Sequence, residues 1–276
     1  PGSVWFFTAC ALCFGHAADL QGALLGRDIH GRPVPQQDPT AVFEFDTVLG
    51  VTWLRNWNAT DRGDGWGGRV DWHEAMAWAA QLRVGDYDGW RLPRVLDTGL
   101  PGCDLKYSGG TDCGYTVQTK QGDTVYSEMA HLWYETLGNL ALCGPQSANY
   151  ICDEQPGGGL KNRGPFLNMT PPDTIGTFWT ATELQTGEDT VFYFDVLGGY
   201  QGYALKHYKE PLAVAVRDGD VLSVPEPGTI AMLLAALAAM AHGLRTRDGR
   251  QPRRTATPGQ QRIERQPAHS PDDLEP

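Results

Sequence analysis

The sequence predicts an α+β fold with long irregular connections. Three observations predict it: a strand hairpin at 42–55, two helical patterns opening at Asp71 and Ser127, and a return to strands in the last third. Strands, helices, a looped middle and strands again is an α+β order rather than regular βαβ alternation. The 276 residues are 41% hydrophobic and 20% charged, with 34 Gly, 19 Pro and 9 Trp. That mix favours a loop-rich body with aromatic anchors over a helical bundle.

Val42-Phe43-Glu44-Phe45-Asp46 alternates as a strand, Thr47 to Gly50 turns, and Val51-Thr52-Trp53-Leu54-Arg55 returns. Asp71 with Glu74 three residues on is a capping box. Trp72, Ala75, Met76, Ala79 and Leu82 then follow at helical spacing, with Gly85 as the expected stop. The second helix is expected from Ser127, with Met129, Leu132, Trp133, Thr136 and Leu137 on one face and Gly138 ending it. Late strands are expected at Thr177–Ala181, Thr190–Val196 and Leu212–Arg217.

Both chain ends read as addresses. Val4 to Phe14 is an apolar run, and Gly15-His16-Ala17-Ala18 supplies small residues suited to a signal peptidase. Residues 1–18 are therefore expected to be a signal peptide lacking its charged start, with the mature chain beginning near Asp19 and one globular domain over 19–223. At the other end, Val224-Pro225-Glu226-Pro227-Gly228 precedes an apolar Ala/Leu run at 229–244, followed by Arg245, Arg247 and Arg250. That run is suited to a transmembrane helix, and the arginines place the preceding domain outside the cytoplasm. Residues 251–276, rich in Arg, Gln and Pro, read as a disordered tail.

The formal net charge is −11, and the 245–276 segment carries seven Arg against five acids, so the body before it is more acidic still. Phosphate binding needs a basic face, so nucleic acid is not an expected partner. Outside the signal region the cysteines are Cys103, Cys113, Cys143 and Cys152, an even set in a chain bound for an oxidising compartment. Short loops close most easily, which favours Cys103–Cys113 and Cys143–Cys152. Zinc sites use tighter C-x₂₋₄-C knuckles, so disulfides are expected rather than a metal.

The Pro225-Glu226-Pro227 tripeptide, hydrophobic segment and arginine cluster together resemble the PEP-CTERM sorting signal. That resemblance implies processing by an exosortase, a membrane-embedded protease-transpeptidase, in addition to signal peptidase. The chain continues well beyond the arginines, where tails of that family usually stop. A second resemblance lies in the body. Gly89-Trp90-Arg91-Leu92-Pro93 is similar to the W-R-L-P signature of the Lcl C-terminal-type domain. Phe178-Trp179-Thr180-Ala181-Thr182 and Ala215-Val216-Arg217-Asp218-Gly219-Asp220-Val221 resemble its later landmarks, and the match runs from about 42 to 221. This implies a C-type-lectin-like domain with two helices and a small curled antiparallel sheet. The family is named after an adhesin that binds sulfated glycans.

Read for chemistry, these landmarks look architectural. Trp90, Leu92 and Pro93 should lock the chain leaving the first helix, and Arg91 should pair with a buried carboxylate. Trp179, Phe192 and Phe194 are expected in the core. No G-x-S-x-G, P-loop or H-E-x-x-H is present, so no catalytic residue is assigned and the chain is expected not to be an enzyme. His73 and His131, on the helical patterns, are expected to be solvated or hydrogen-bonded. One loop, Asp61-Arg62-Gly63-Asp64-Gly65-Trp66-Gly67-Gly68, combines carboxylates, glycines and an exposed-looking Trp. Asp61, Asp64 and Trp66 are suited to hold Ca²⁺ through oxygens or to stack on a sugar. No other cofactor is expected. These readings describe an exported protein passing through the inner membrane to the surface or matrix, engaging polysaccharide without catalysis. The alternative is an exported, metal-dependent oxidase on a related fold.

Overall fold

In the computed structural model the described residues are 24–222, except 64, 100–101, 104–111, 146, 148–150, 173–175, 186 and 188. The signal segment at 1–18, the apolar run at 229–244 and the 251–276 tail lie outside the described residues. The chain divides into two compact units, Pro1–Ser223 and Val224–Pro276. Among the described residues no helix is long and apolar enough to cross a membrane.

In chain order the elements are β1 Leu24–Asp28, β2 Ala41–Asp46, β3 Val51–Leu54, α1 Trp72–Gln81, β4 Trp90–Arg91, β5 Gly114–Tyr115, β6 Lys120–Gln121 and β7 Thr124–Val125. They continue with α2 Glu128–Ala130, a π-helix His131–Thr136, β8 Thr177–Glu183, β9 Thr190–Asp195, β10 Tyr200–Leu205 and β11 Val216–Asp218. Three antiparallel sheets result: β1-β2-β3-β11-β4, β5-β10-β9-β8, and the β6-β7 hairpin. The expected α+β class stands, with two substantial sheets in place of one small curled sheet.

Side-chain alternation explains why the first sheet is buried on both faces. Phe43, Leu54, Trp90 and Ala215 pack on one side, while Leu24, Val51, Trp53 and Val216 pack on the other. In the second sheet Phe192 and Phe194 point one way and Val191 and Tyr193 the other, where α1 lays Trp72, Ala75 and Ala79 against them. Trp179, Phe192 and Phe194 are fully buried, as expected, and so are Trp53 and Phe178.

The α1 capping box forms as read: Asp71 accepts from the Glu74 amide at 2.9 Å and Glu74 accepts from the Asp71 amide at 3.0 Å. The stop does not. The helix ends at Gln81 with Leu82 extended (φ −64°, ψ 129°), before Gly85, which sits instead in the turn of the Val84–Tyr87 bridge. Ser127 caps α2, accepting from the Ala130 amide at 3.1 Å. After one turn the helix widens to π, with the Leu137 amide reaching Leu132 O five residues back. Trp133 sets this geometry by driving its ring into the core and donating its indole N–H to Val196 O at 2.9 Å. The last expected strand is shorter than read. Leu212 makes only an isolated bridge to Phe178, and regular pairing starts at Val216.

Both short cysteine loops close as favoured. Cys103–Cys113 and Cys143–Cys152 are disulfides, with Cα atoms 4.6 and 5.0 Å apart. All four cysteines are thereby removed as thiolate ligands or nucleophiles.

Candidate functional site

The 61–68 loop and the 206–211 loop meet beside the start of α1 to form a cleft of about 250 Å³, lined by Thr60, Arg62, Trp66, Arg69, Glu74 and Lys209 among others. Trp66 stands at 60% exposure, an outlier for a residue that normally buries its ring. The backbone beneath it is held from several directions. Thr60 Oγ1 donates to Gly68 O at 2.8 Å, the Val70 amide donates to Pro211 O at 3.1 Å, and Trp179 Nε1 donates to Val70 O at 2.9 Å. The Trp72 amide donates to Lys206 O at 2.9 Å, pinning the second loop to the first turn of α1. At Gly68, φ +85°, a Cβ would press on Asn58 Oδ1 and stand 3.0 Å from Thr60 Oγ1, which together with the left-handed backbone favours glycine.

Charge is arranged with equal economy. Lys209 Nζ lies 3.2 Å from Glu74 and 3.5 Å from Asp71, and the Glu74 hydrogen bond raises the ammonium pKa. Arg69 Nε lies 3.3 Å from Glu210. The lining itself carries three cations, Arg62, Arg69 and Lys209, against one carboxylate, Glu74, in a chain of net charge −11. With Asp71 and Glu210 pairing from beside the cleft, the cations are largely balanced, and what they offer an anionic ligand is directed N–H donors.

Of the loop residues singled out in the sequence, Trp66 is at the cleft. Asp61 is turned to local work: its Oδ1 accepts the Gly63 amide at 2.9 Å and its Oδ2 accepts from Asn58 Nδ2 at 3.3 Å. Asp64 lies outside the described residues. Among the described residues no group of three or more His, Cys, Asp or Glu is placed to hold a metal ion. Lys209 was not legible as a partner of Trp66, because only the fold joins the two loops. The Lys206-His207-Tyr208-Lys209 run was the available signal.

Other sequence-flagged residues resolve into architecture. Trp90 and Leu92 are buried, and Arg91 meets the carboxylate of Glu128, itself buried, as expected of it. His73 is exposed against the Trp72 ring at 5.2 Å. His131 corrects its expectation: it is 6% exposed and neither ring nitrogen has a hydrogen-bond partner, because the π-helix turns it inward. Burial lowers its pKa. Glu44, unremarked in the sequence because it occupies an ordinary strand position, is wholly buried with no hydrogen bond to either carboxylate oxygen.

What the described residues define is a disulfide-bearing α+β domain with a rigid surface cleft. Immediately after it, the model of the PEP-CTERM protein-sorting motif matches residues 223–250, which include Pro225, Glu226, Pro227, Arg245 and Arg247. A motif of this kind points to an exported protein, processed by an exosortase and sorted through the membrane to the cell surface. No match was found among curated proteins or solved structures, and the Lcl-type resemblance has no counterpart in these comparisons.

Proposed function

We propose that this chain is a non-catalytic, exosortase-sorted surface or matrix protein whose domain binds acidic extracellular polysaccharide through the Trp66 cleft. The observation that carries the reading is the lining: an exposed tryptophan beside the N–H donors of Arg62, Arg69 and Lys209. An aromatic face stacks on the apolar side of a sugar ring, and guanidinium groups pair with uronate carboxylates. A backbone held in place beforehand loses little entropy on binding. The W-R-L-P resemblance supports the same reading, since that family takes its name from a glycan-binding adhesin.

The test is a glycan array with the purified full chain, comparing uronate-bearing with neutral oligosaccharides, with and without Ca²⁺. Retention of the acidic set, weakened at least tenfold by Trp66→Ala with an unchanged melting temperature, supports the assignment. An array on which no acidic glycan is retained discards it.

A further inference from the structure

A second concavity, of about 440 Å³, lies between the β6-β7 hairpin with its approach at 116–119 and the π-helix. We propose that it is a separate binding site for a neutral, hydroxyl-rich ligand of the hexose class. Its lining differs from the Trp66 cleft in a way that selects the ligand. Among the described residues that line it, the charged side chains are one cation and one anion, Lys120 and Glu135, and both are engaged locally. Lys120 Nζ donates to Gly122 O, and Glu135 Oε1 accepts from Thr119 Oγ1 at 3.3 Å. No surplus charge remains to attract an ion. The exposed amides of Gln118 and Gln121 instead line the cleft, beside the rings of Tyr126 and Tyr134. An amide both donates and accepts, as each sugar hydroxyl does, and a tyrosine face covers the C–H side of a pyranose.

Two features mark the cleft as built. Thr116 holds φ +51°, a strained conformation for a β-branched residue that persists only where its surroundings over-determine it. Its amide donates to Tyr134 Oη at 2.9 Å, while that hydroxyl donates to Gly199 O, so rim and wall are fixed together. The wall is carried on a π-helix, a geometry that recurs at functional sites. His131, the first residue of that π-helix, is buried with both nitrogens unpartnered. Of the charged groups acting on it, Asp46, Glu135 and Lys120, the last two line this cleft.

The experiment is calorimetric titration of the full chain with neutral probes: cellopentaose, maltopentaose and a galactan pentasaccharide. Binding of at least one, weakened tenfold or more by the surface double variant Gln118→Ala/Gln121→Ala and by Tyr126→Ala, and unchanged by Trp66→Ala, is the expected result. The glutamines are exposed, so that double variant keeps the fold and its melting temperature checks this. Failure of all three probes to bind overturns the proposal, as does binding that survives the double variant or depends on Trp66. Because Trp66→Ala serves here only as a control, the acidic-glycan reading stands or falls on its own measurement.

Discussion

The guanidinium of Arg91 and the carboxylate of Glu128 form a two-pronged pair, Nη1 to Oε2 and Nη2 to Oε1, each at 2.8 Å. Glu128 Oε2 also accepts the Arg94 amide at 2.7 Å, and Arg91 reaches Asp218 on β11. One ion pair therefore joins the strand after α1, the start of the second helix and the last strand. Arg91→Ala leaves the buried Glu128 carboxylate without its counter-ion and with only the Arg94 amide, at a cost of about 3–5 kcal/mol. Arg91→Lys, which offers one point charge in place of the fork, is expected to recover only part of that. Urea unfolding midpoints of the two variants decide it; an Arg91→Ala loss under about 1 kcal/mol contradicts the hub role.

Glu44 makes stability depend on pH. Burial pushes its pKa up to about 7 from the ordinary 4.5. The charges nearest it are Arg55, whose Nε lies 4.0 Å away, and Arg27. Arg55 spends its donors on the carbonyls of Pro165, Asp38 and Ala41. Below about pH 4.5 Glu44 is protonated in both folded and unfolded chains, and its contribution to stability is fully present. As pH rises the unfolded chain ionises first, so that contribution declines until the folded pKa near 7 is passed. Glu44→Gln is expected to match the wild type near pH 4.5 and to exceed it by a few kcal/mol at pH 7.5. Asp195, also raised by burial to about 6, is common to both proteins and cancels in the difference. Parallel stability curves for the two proteins contradict the assignment.

Gly68 tests whether the Trp66 cleft depends on its loop. A Cβ there meets the Asn58 and Thr60 side chains, and φ is +85°, so Gly68→Ala strains the backbone and pushes those side chains aside. The expected cost is about 1–3 kcal/mol of stability. Any acidic-glycan affinity should fall with it, although Gly68 offers no side chain to a ligand. Gly63, at φ +71° with open space around it, is the control: Gly63→Ala strains one residue but displaces no neighbour. Equal effects of the two on glycan binding argue against a preorganised cleft.

The parts of this fold that were legible in the sequence are those specified by neighbours along the chain. The 42–54 hairpin, the Asp71–Glu74 box and the Ser127 cap each depend on residues within a few positions of one another. The π-helix was not legible, because its extra residue is imposed by where Trp133 must reach in the core. β10 escaped because Gly202 breaks its alternation. That glycine is required by the Tyr193 and Tyr200 rings lying over its Cα, a contact with no local trace. For the candidate site the division is the same. The aromatic loop could be read, whereas its pairing with Lys209, and the pairing of Arg91 with Glu128 in particular, are products of tertiary structure.

The position of β11 bears on how far such a chain can be shortened. It lies between β3 and β4, hydrogen-bonded to both, so the final strand is an inner member of its sheet, not an edge. Without Val216–Asp218, β3 and β4 would lack the strand that joins them. The sorting motif begins at 223, a few positions later. The sheet therefore closes only when a strand ending at Asp218 is in place, five residues before the sorting motif begins, so shortening the chain from the motif side soon removes an inner strand and not an edge.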